Sequence, residues 1–240
     1  MNNFLPNLRL LQLREYPIYE QLQIEEALLR ASHENWCLIN WGSPPAIVMG
    51  ISGKLEELID EKKLQQCPIP VIRRFSGGGT VVVDHQTLFV TFICNAEKTV
   101  SCCPQKVLHW TADFYKSVFP TGFQLQENDY AMGDRKFGGN AQYFRKERWL
   151  HHSSLLWDYQ PFHMEYLLHP MKTPKYREGR NHLDFLCKLQ DHLDKQEFEE
   201  AFTATLNKYF TVEHAKTEHV TEILALPHRK ACQLLSKTTN

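Results

Sequence analysis

The segment Arg73–Thr80 (RRFSGGGT) combines two arginines with three consecutive glycines. Glycine allows close approach of the backbone to a ligand, so three in a row can aim several N–H groups at one point. The arginines add fixed positive charge and forked donors that suit a carboxylate or a phosphate. The segment therefore predicts a site for an anionic ligand. The alternative is a flexible hairpin turn beside incidental arginines, although a hairpin needs only one or two glycines.

The glycine triplet does not fit the two common nucleotide-binding loops. A P-loop requires Gly-Lys followed by Ser or Thr, and no lysine follows Gly79. A Rossmann turn leads into a helix. Gly79 leads instead into Thr80-Val81-Val82-Val83, a β-branched run that favours a strand. We therefore expect the triplet to join two strands.

A second polar segment surrounds Lys136. It contains Asn128, Asp129 and the run GDRKFGGNAQ from Gly133 to Gln142. An ammonium group is a compact charge that can stabilise a phosphate or an oxyanion, and the glycines after it let the backbone approach. Alone, this pattern is also typical of an exposed lysine on a β-turn. The presence of both segments in one chain favours the catalytic interpretation.

Together these segments resemble the catalytic domain of lipoate–protein ligase A and lipoyltransferases, in the superfamily that also includes biotin ligases and octanoyltransferases. The matching runs are RRFSGGGTV from Arg73, the Asn128-Asp129 pair, KFGGNAQ from Lys136 and HHSSLLWD from His151. Val83 stands where the family usually has a histidine, and Ser153 replaces a usual glycine. The stretch from Pro174 to Leu186 resembles plant members of the family.

The resemblance implies an enzyme that activates lipoate with ATP to lipoyl-AMP and transfers the lipoyl group to a lysine of another protein. Lys136 is the implied catalytic residue. The residues implied to bind the acyl group and the adenylate are Arg73, Arg74, Ser76, Gly77, Gly78, Gly79, Thr80, Val83, Asn128, Asp129, Gly138, Gly139, Asn140, Ala141, His152 and Ser154. ATP and Mg²⁺ are the implied cofactors, with Asp129 as a metal ligand, and lipoate is the substrate.

The implied acceptors are apo lipoyl domains of 2-oxoacid dehydrogenase E2 subunits and the glycine-cleavage H protein. The resemblance leaves open whether an accessory subunit is needed. The main competing function is that of an octanoyl or lipoyl transferase, which moves an acyl group between carrier proteins without ATP. Some of these transferases hold the acyl group on a cysteine. This sequence has no cysteine within 123–130 or 136–158, where that residue lies in the transferases. A biotin ligase, whose loop alternates Gly and Arg, and an inactive binding relative are two further candidate functions.

The composition is that of an ordinary soluble globular protein. Of its 240 residues, 42% are hydrophobic, as in other globular proteins. Its net charge of -1 provides no overall electrostatic attraction for nucleic acid. Seven cysteines without a CxxC pair indicate free thiols in the cytoplasm rather than a zinc site. No apolar run is long enough for a membrane span. We expect residues 1–240 to form a single catalytic domain without a separate C-terminal accessory domain.

The elements that position the two segments are predicted to be strands in the middle of the chain and helices around them. Helices are predicted over 19–31, from Pro104 and from Lys195, with strands between 36 and 94 and again between 123 and 157. The order is not a regular βαβα alternation, which predicts an α+β fold with a mixed, mostly antiparallel sheet flanked by helices. The resemblance implies the biotin/lipoate ligase catalytic-domain fold, similar to class II aminoacyl-tRNA synthetases. A long polar loop is predicted over 170–183 and a last helix over 228–235.

Overall fold

The computed structural model describes residues 5–96, 99–168 and 173–236, which contain two β-sheets. The larger sheet has the spatial order β11 (Thr211–His214), β1 (Asn7–Arg14), β2 (Trp36–Trp41), β6 (Thr87–Asn95), β10 (Arg148–Leu156), β9 (Arg135–Arg145), β8 (Asp129–Met132) and β7 (Phe123–Gln126). The smaller sheet has the order β12 (Gln233–Ser236), β4 (Val71–Arg73), β3 (Ala46–Met49) and β5 (Val81–Val83).

Most neighbouring strands in the two sheets are antiparallel. The parallel pairs among the described residues are β1 with β2, β1 with β11, and β3 with β4. The triplet of glycines follows β4 and precedes β5, so it joins two strands as predicted. The α+β class with a mixed, mostly antiparallel sheet is confirmed.

The helices are α1 (Ile18–Ala31), α2 (Leu55–Leu58), α3 (Glu61–Gln66), α4 (Pro104–Lys116), α5 (His182–Phe185), α6 (Lys195–Tyr209) and α7 (Thr217–Ala225). Helices α1 and α7 cover one face of the large sheet, and α4 and α6 cover the other. Pro104 occupies the first turn of α4, where its missing N–H costs nothing. A capping box between Asp194 and Glu197 fixes the start of α6.

Strand β10 presents alternate residues to the two faces of the large sheet. Trp149 and Leu155 pack into the aromatic core beneath α4 and α6, whereas Leu150 packs against α1. Because side chains alternate along a strand, His152 and Ser154 share the α1 face. Their neighbours in sequence therefore point the other way, which the run HHSSLL does not reveal by itself.

Two sequence predictions near the end of the chain differ from the structure. The helix predicted over 228–235 is wrong, because Gln233–Ser236 pairs with β4 as a strand, and the helix lies earlier, at Thr217–Ala225. This segment becomes a strand because it pairs with the edge of the smaller sheet. That tertiary contact cannot be predicted from the local propensities of its residues. Of the loop predicted over 170–183, residues 170–172 lie outside the described residues. The rest includes a 3₁₀ turn at Lys175–Arg177 and the start of α5.

The cysteines and the helices bear on two further sequence predictions. All seven cysteines are free thiols, as predicted. Among the described helices, none has the length and apolarity needed to cross a bilayer.

His151 gives the fold a testable dependence on pH. Its Nε2 lies 2.7 Å from the Tyr130 hydroxyl, and its Nδ1 lies 3.1 Å from Gln142 Nε2. Burial, with a smaller contribution from His152, lowers the pKa of His151 to about 3. Unfolding lets this ring bind a proton near its ordinary pKa of about 6.5. His151 therefore makes its full contribution to the free energy of unfolding above about pH 6.5. That contribution is lost as the pH falls towards the pKa of the folded state.

We expect the free energy of unfolding to drop by roughly 2 kcal/mol between pH 6.5 and pH 5 through this one group. Urea unfolding at several pH values measures it. His151→Gln should flatten the slope, and His109→Gln, an exposed histidine on α4, should not. Equal slopes for His151→Gln and the parent protein would contradict this assignment.

Candidate functional site

The glycine segment, residues 77–79 between β4 and β5, is held in place by hydrogen bonds from Arg74. This side chain is buried, and its guanidinium donates to the carbonyl oxygens of Gly77 at 2.7 Å and Gly79 at 2.9 Å. A third, longer bond reaches the Val48 carbonyl at 3.3 Å. Burial lowers the pKa of Arg74 to about 10, and the Glu25 carboxylate acts in the opposite direction. Arg74 thus fixes the shape of the segment with its charge retained at neutral pH.

The glycines differ in what surrounds them. Gly78 has φ of +102°, and a Cβ there would lie 2.7 Å from Arg74 Nη2. Gly50, just after β3, lies directly behind it, since a Cβ at Gly50 would approach the Gly78 carbonyl oxygen to 2.2 Å. A Cβ at Gly77 or Gly79 would meet no atom of the described residues within 4 Å. The segment is therefore closely packed on one side and open on the other.

Lys136 lies within strand β9 and not on a turn. Its Nζ forms an ion pair with Asp129 Oδ1 at 2.8 Å. The other carboxylate oxygen of Asp129 accepts a bond from the Tyr176 hydroxyl at 3.0 Å. Gly139 provides the space beneath the ammonium group, because a Cβ there would lie 3.4 Å from Nζ. The lysine is a quarter exposed and reaches the same space as the open side of the glycine segment.

Two cavities meet at Lys136. The helix cavity, of about 300 Å³, extends towards Ile18 and Leu22 of α1, and the loop cavity, of about 320 Å³, extends towards residues 174–186. Both are lined by Gly79, Thr80, Val81, Val83, Asp129, Lys136, Gly139 and Ser154. The two segments singled out in the sequence are thus brought together around shared space.

The predicted site residues fall into four groups by position. Those that line only the helix cavity are Arg74, Gly78, Asn128, Asn140, Ala141 and His152. Gly138 lines only the loop cavity, and Thr80, Val83 and the other shared residues line both. Among the described residues that line the two cavities, Arg73, Ser76 and Gly77 are not found. Arg73 donates instead to the Gly53 carbonyl at 3.1 Å.

A buried polar chain forms one wall of the helix cavity. His152 Nδ1 lies 2.9 Å from Glu25 Oε1, and its Nε2 lies 3.2 Å from Ser154 Oγ. Glu25 also accepts bonds from Gln21 Nε2 and Thr91 Oγ1, both at 2.8 Å. Glu25 was missed in the sequence, although a charged residue on the apolar face of an amphipathic helix was a signal that could have found it.

Residues 174–186 form one wall of the loop cavity. Glu127 Oε1 accepts bonds from the backbone N–H groups of Lys175 at 2.6 Å and Tyr176 at 3.3 Å. Burial and the Asp129 carboxylate raise the pKa of Tyr176, so its hydroxyl stays a donor. Arg177 is buried and lines the cavity, and its Nη2 has no hydrogen-bond partner among the described residues. An unpaired guanidinium nitrogen beside a cavity favours an anionic ligand.

Comparison with known proteins gives one consistent result. Residues 17–211 match the family described as "Lipoyl protein ligase A/B catalytic domain". A Plasmodium falciparum relative named "Inactive lipoate--protein ligase 2" is 27% identical, over 72% of this chain and 60% of its own. A Mycoplasma pneumoniae "Probable lipoate-protein ligase A" is 26% identical, over 85% of this chain and 62% of its own. The chain thus spans about three fifths of the length of these relatives.

Solved structures show the same fold. A bipartite lipoate protein ligase from Thermoplasma acidophilum, described with its E2 lipoyl domain, superposes with a TM-score of 0.72 over 92% of this chain and 91% of its own, at 15% identity. A lipoate-protein ligase A bound with ATP gives a TM-score of 0.69 over 92% of this chain and 93% of its own, at 16% identity. Such low identities support the fold and not the details of the site.

Proposed function

Because the chain belongs to the lipoyl protein ligase A/B catalytic-domain family, we propose that it activates lipoate with ATP and transfers the lipoyl group to a lysine of an acceptor protein. The observation that carries this proposal is the position of Lys136. Its ammonium group lies where two cavities meet, beside the open side of the glycine segment. A charged group in this position can align two ligands and stabilise the charge that develops as they react.

The helix cavity suits the acyl chain. Its walls include the apolar side chains of Ile18, Leu22, Val83 and Phe89. Burial of methylene groups against such walls is favourable by about 0.8 kcal/mol per group. Val83, at the position of the usual family histidine, packs among Val48 and other apolar residues and makes this end of the cavity less polar.

The loop cavity suits the nucleotide. Arg177 lines it and has a buried guanidinium nitrogen without a described partner, and the backbone of Gly79 is exposed to the same space. Among the described residues there is no cluster of three acidic, histidine or cysteine side chains for a metal. Both carboxylate oxygens of Asp129 already have partners, so a Mg²⁺ beside it would take most of its oxygen ligands from ATP and water, and such an ion would screen phosphate charge. Its role as a metal ligand stays a prediction.

The chain's own residues then have defined roles in two steps. In the first, a carboxylate oxygen of lipoate attacks the α-phosphorus of ATP and pyrophosphate leaves. Lys136 holds the acyl oxygen and the phosphate together and compensates the charge that develops. In the second, the neutral acceptor amine attacks the acyl carbon, AMP leaves and the amine nitrogen releases a proton, with the same ammonium beside the oxyanion. Asp129 orients the lysine by an ion pair, and the Tyr176 hydroxyl positions Asp129 by donating a hydrogen bond to its other carboxylate oxygen.

The proposed acceptors are the apo lipoyl domains of E2 subunits and the glycine-cleavage H protein. The T. acidophilum ligase described with its E2 lipoyl domain supports the first class. That residues 1–240 act as one catalytic domain, that the protein is cytoplasmic and that an accessory subunit assists it stay predictions. The plant-like subgroup also stays a prediction.

The function is tested by incubating the purified chain with ATP, Mg²⁺, lipoate and an apo lipoyl domain. We expect pyrophosphate release and a heavier acceptor by mass spectrometry, with both dependent on ATP. Acceptor modification from an acyl thioester alone would support the transferase function. Tight binding of a lipoyl-adenylate analogue without any transfer would contradict both and would make the chain an inactive relative.

A further inference from the structure

We propose that Ser154 is a nucleophile that accepts an acyl group from a thioester donor, with His152 as its general base and Glu25 as the residue that positions His152. The inference deepens the proposed function, on which it rests, because it uses the same acyl cavity and the same acceptor lysine. It adds to that cavity a covalent route that needs no ATP.

The three side chains have the connectivity of a serine–histidine–carboxylate triad. Ser154 Oγ lies 3.2 Å from His152 Nε2, and His152 Nδ1 lies 2.9 Å from one oxygen of Glu25 and 3.1 Å from the other. These distances place each proton transfer within hydrogen-bond reach. A triad is recognised by geometry and roles and not by order in the sequence.

The surroundings of Glu25 fix the tautomer of His152. Glu25 is fully buried and accepts bonds from Gln21 Nε2 and Thr91 Oγ1. A carboxylate oxygen can only accept a hydrogen bond, so the ring nitrogen beside it is the donor. Glu25 therefore accepts a bond from Nδ1–H of His152, which leaves the Nε2 lone pair directed towards the Ser154 hydroxyl. This is the orientation that a general base requires.

Ser154 is also accessible to a substrate. It is only partly buried and lines both cavities, as Lys136 does. The neighbouring Ser153 differs in its burial and in its partner. It is fully buried on the opposite face of the sheet and accepts a hydrogen bond from the Tyr115 hydroxyl at 3.1 Å. The chain thus offers one serine in the site and one matched serine outside it.

The reaction balances without a further reactant. Ser154 Oγ attacks the carbonyl carbon of an acyl thioester, and its proton moves to His152 Nε2. The carbon–sulfur bond breaks, the sulfur takes the proton from His152, and a free thiol leaves an acyl ester on Ser154. The acceptor lysine amine then attacks the ester carbon, and His152 passes a proton from the amine to Ser154 Oγ. An amide forms and the enzyme is regenerated, with Lys136 available to stabilise each oxyanion.

The experiment uses the full chain and octanoyl-N-acetylcysteamine, a small thioester, without ATP. After an acid quench, intact-mass and peptide mass spectrometry should locate an octanoyl ester on Ser154. We expect Ser154→Ala to abolish this ester and Ser153→Ala to form it at the parental rate. His152→Gln should slow its formation by about 100-fold, the lower range for loss of a general base.

The outcomes separate this inference from the proposed function. An ester on Ser154 with ATP-free transfer to an apo lipoyl domain supports the inference even if no pyrophosphate is released from ATP. ATP-dependent lipoylation without any ester, in a chain confirmed as folded by circular dichroism, overturns the inference and leaves the ligase intact. An ester that persists in Ser154→Ala also overturns it.

Discussion

Lys136→Ala is expected to lower the rate of acyl transfer to the acceptor by about 10³-fold, because removal of one preorganised charge-stabilising donor has this effect in other active sites. The ammonium is the charged donor between the two cavities, and no neighbouring described residue replaces its charge at that point. Single-turnover transfer from lipoyl-AMP and pyrophosphate release from ATP each measure the loss. Both steps should be affected, since the same group serves both.

The folded state should tolerate this change. The ion pair with Asp129 is partly exposed, so its loss costs about 1 kcal/mol or less. Asp129 also keeps its bond from the Tyr176 hydroxyl. Lys116→Ala is the matched control, because it removes an exposed lysine paired with Asp113 on α4 and should leave activity unchanged. Near-parental transfer by a folded Lys136→Ala protein would remove Lys136 from the mechanism.

The two sequence segments and the family resemblance predicted a catalytic role for this lysine but not its setting. The pattern around it is typical of a turn, because two glycines follow at short spacing. In the structure Lys136 lies in β9, which is paired with β8 on one side and β10 on the other. Glycine weakens an isolated strand, but here its small size permits Gly138 to pack against Leu155. Tertiary pairing therefore decides the conformation.

The two arginines show a second limit. Both were predicted to bind the ligand because two guanidinium groups beside the glycines offer positive charge and forked donors, and because the resemblance implies it. Side chains alternate in direction along a strand, so the two arginines at the end of β4 point to opposite sides. Arg74 donates to a carbonyl of the glycine segment, whereas Arg73 donates to the carbonyl of Gly53. The direct contribution of either one to ligand binding remains a prediction. The structure adds a supporting role for Arg74, the positioning of the segment itself.

The buried chain from Glu25 to Ser154 depends on contacts between distant parts of the sequence. Glu25 lies on α1 and meets His152 of β10 only because α1 packs across that face of the sheet. His152 and Ser154 were predicted as site residues from the resemblance, and their shared face follows from the period of a strand. The position of Glu25 on the apolar face of α1 could have indicated that it is buried, but its pairing with His152 required knowledge of helix placement, which one sequence does not give.

Gly50→Ala is expected to reduce the free energy of unfolding by about 2 kcal/mol, within the range measured for overpacking. The added Cβ would lie 2.2 Å from the Gly78 carbonyl oxygen and within 3.3 Å of the Gly78 backbone nitrogen and carbon. These are backbone atoms, so no side-chain rotation relieves the contact. For a chain of this size the loss lowers the melting temperature by roughly 4–8 °C, which calorimetry measures.

The same substitution should also lower activity, because the glycine segment can relieve the contact only by moving. Arg74 holds it through the carbonyls of Gly77 and Gly79, so any movement carries the open side towards the cavities. A displacement near 1 Å at a site that aligns reacting groups costs about 10²-fold in rate. Gly77→Ala is the control for stability, since its Cβ would enter space free of the described atoms. If Gly50→Ala melts with the parent protein, then the close packing behind Gly78 does not constrain the segment, and its shape must be set by Arg74 alone.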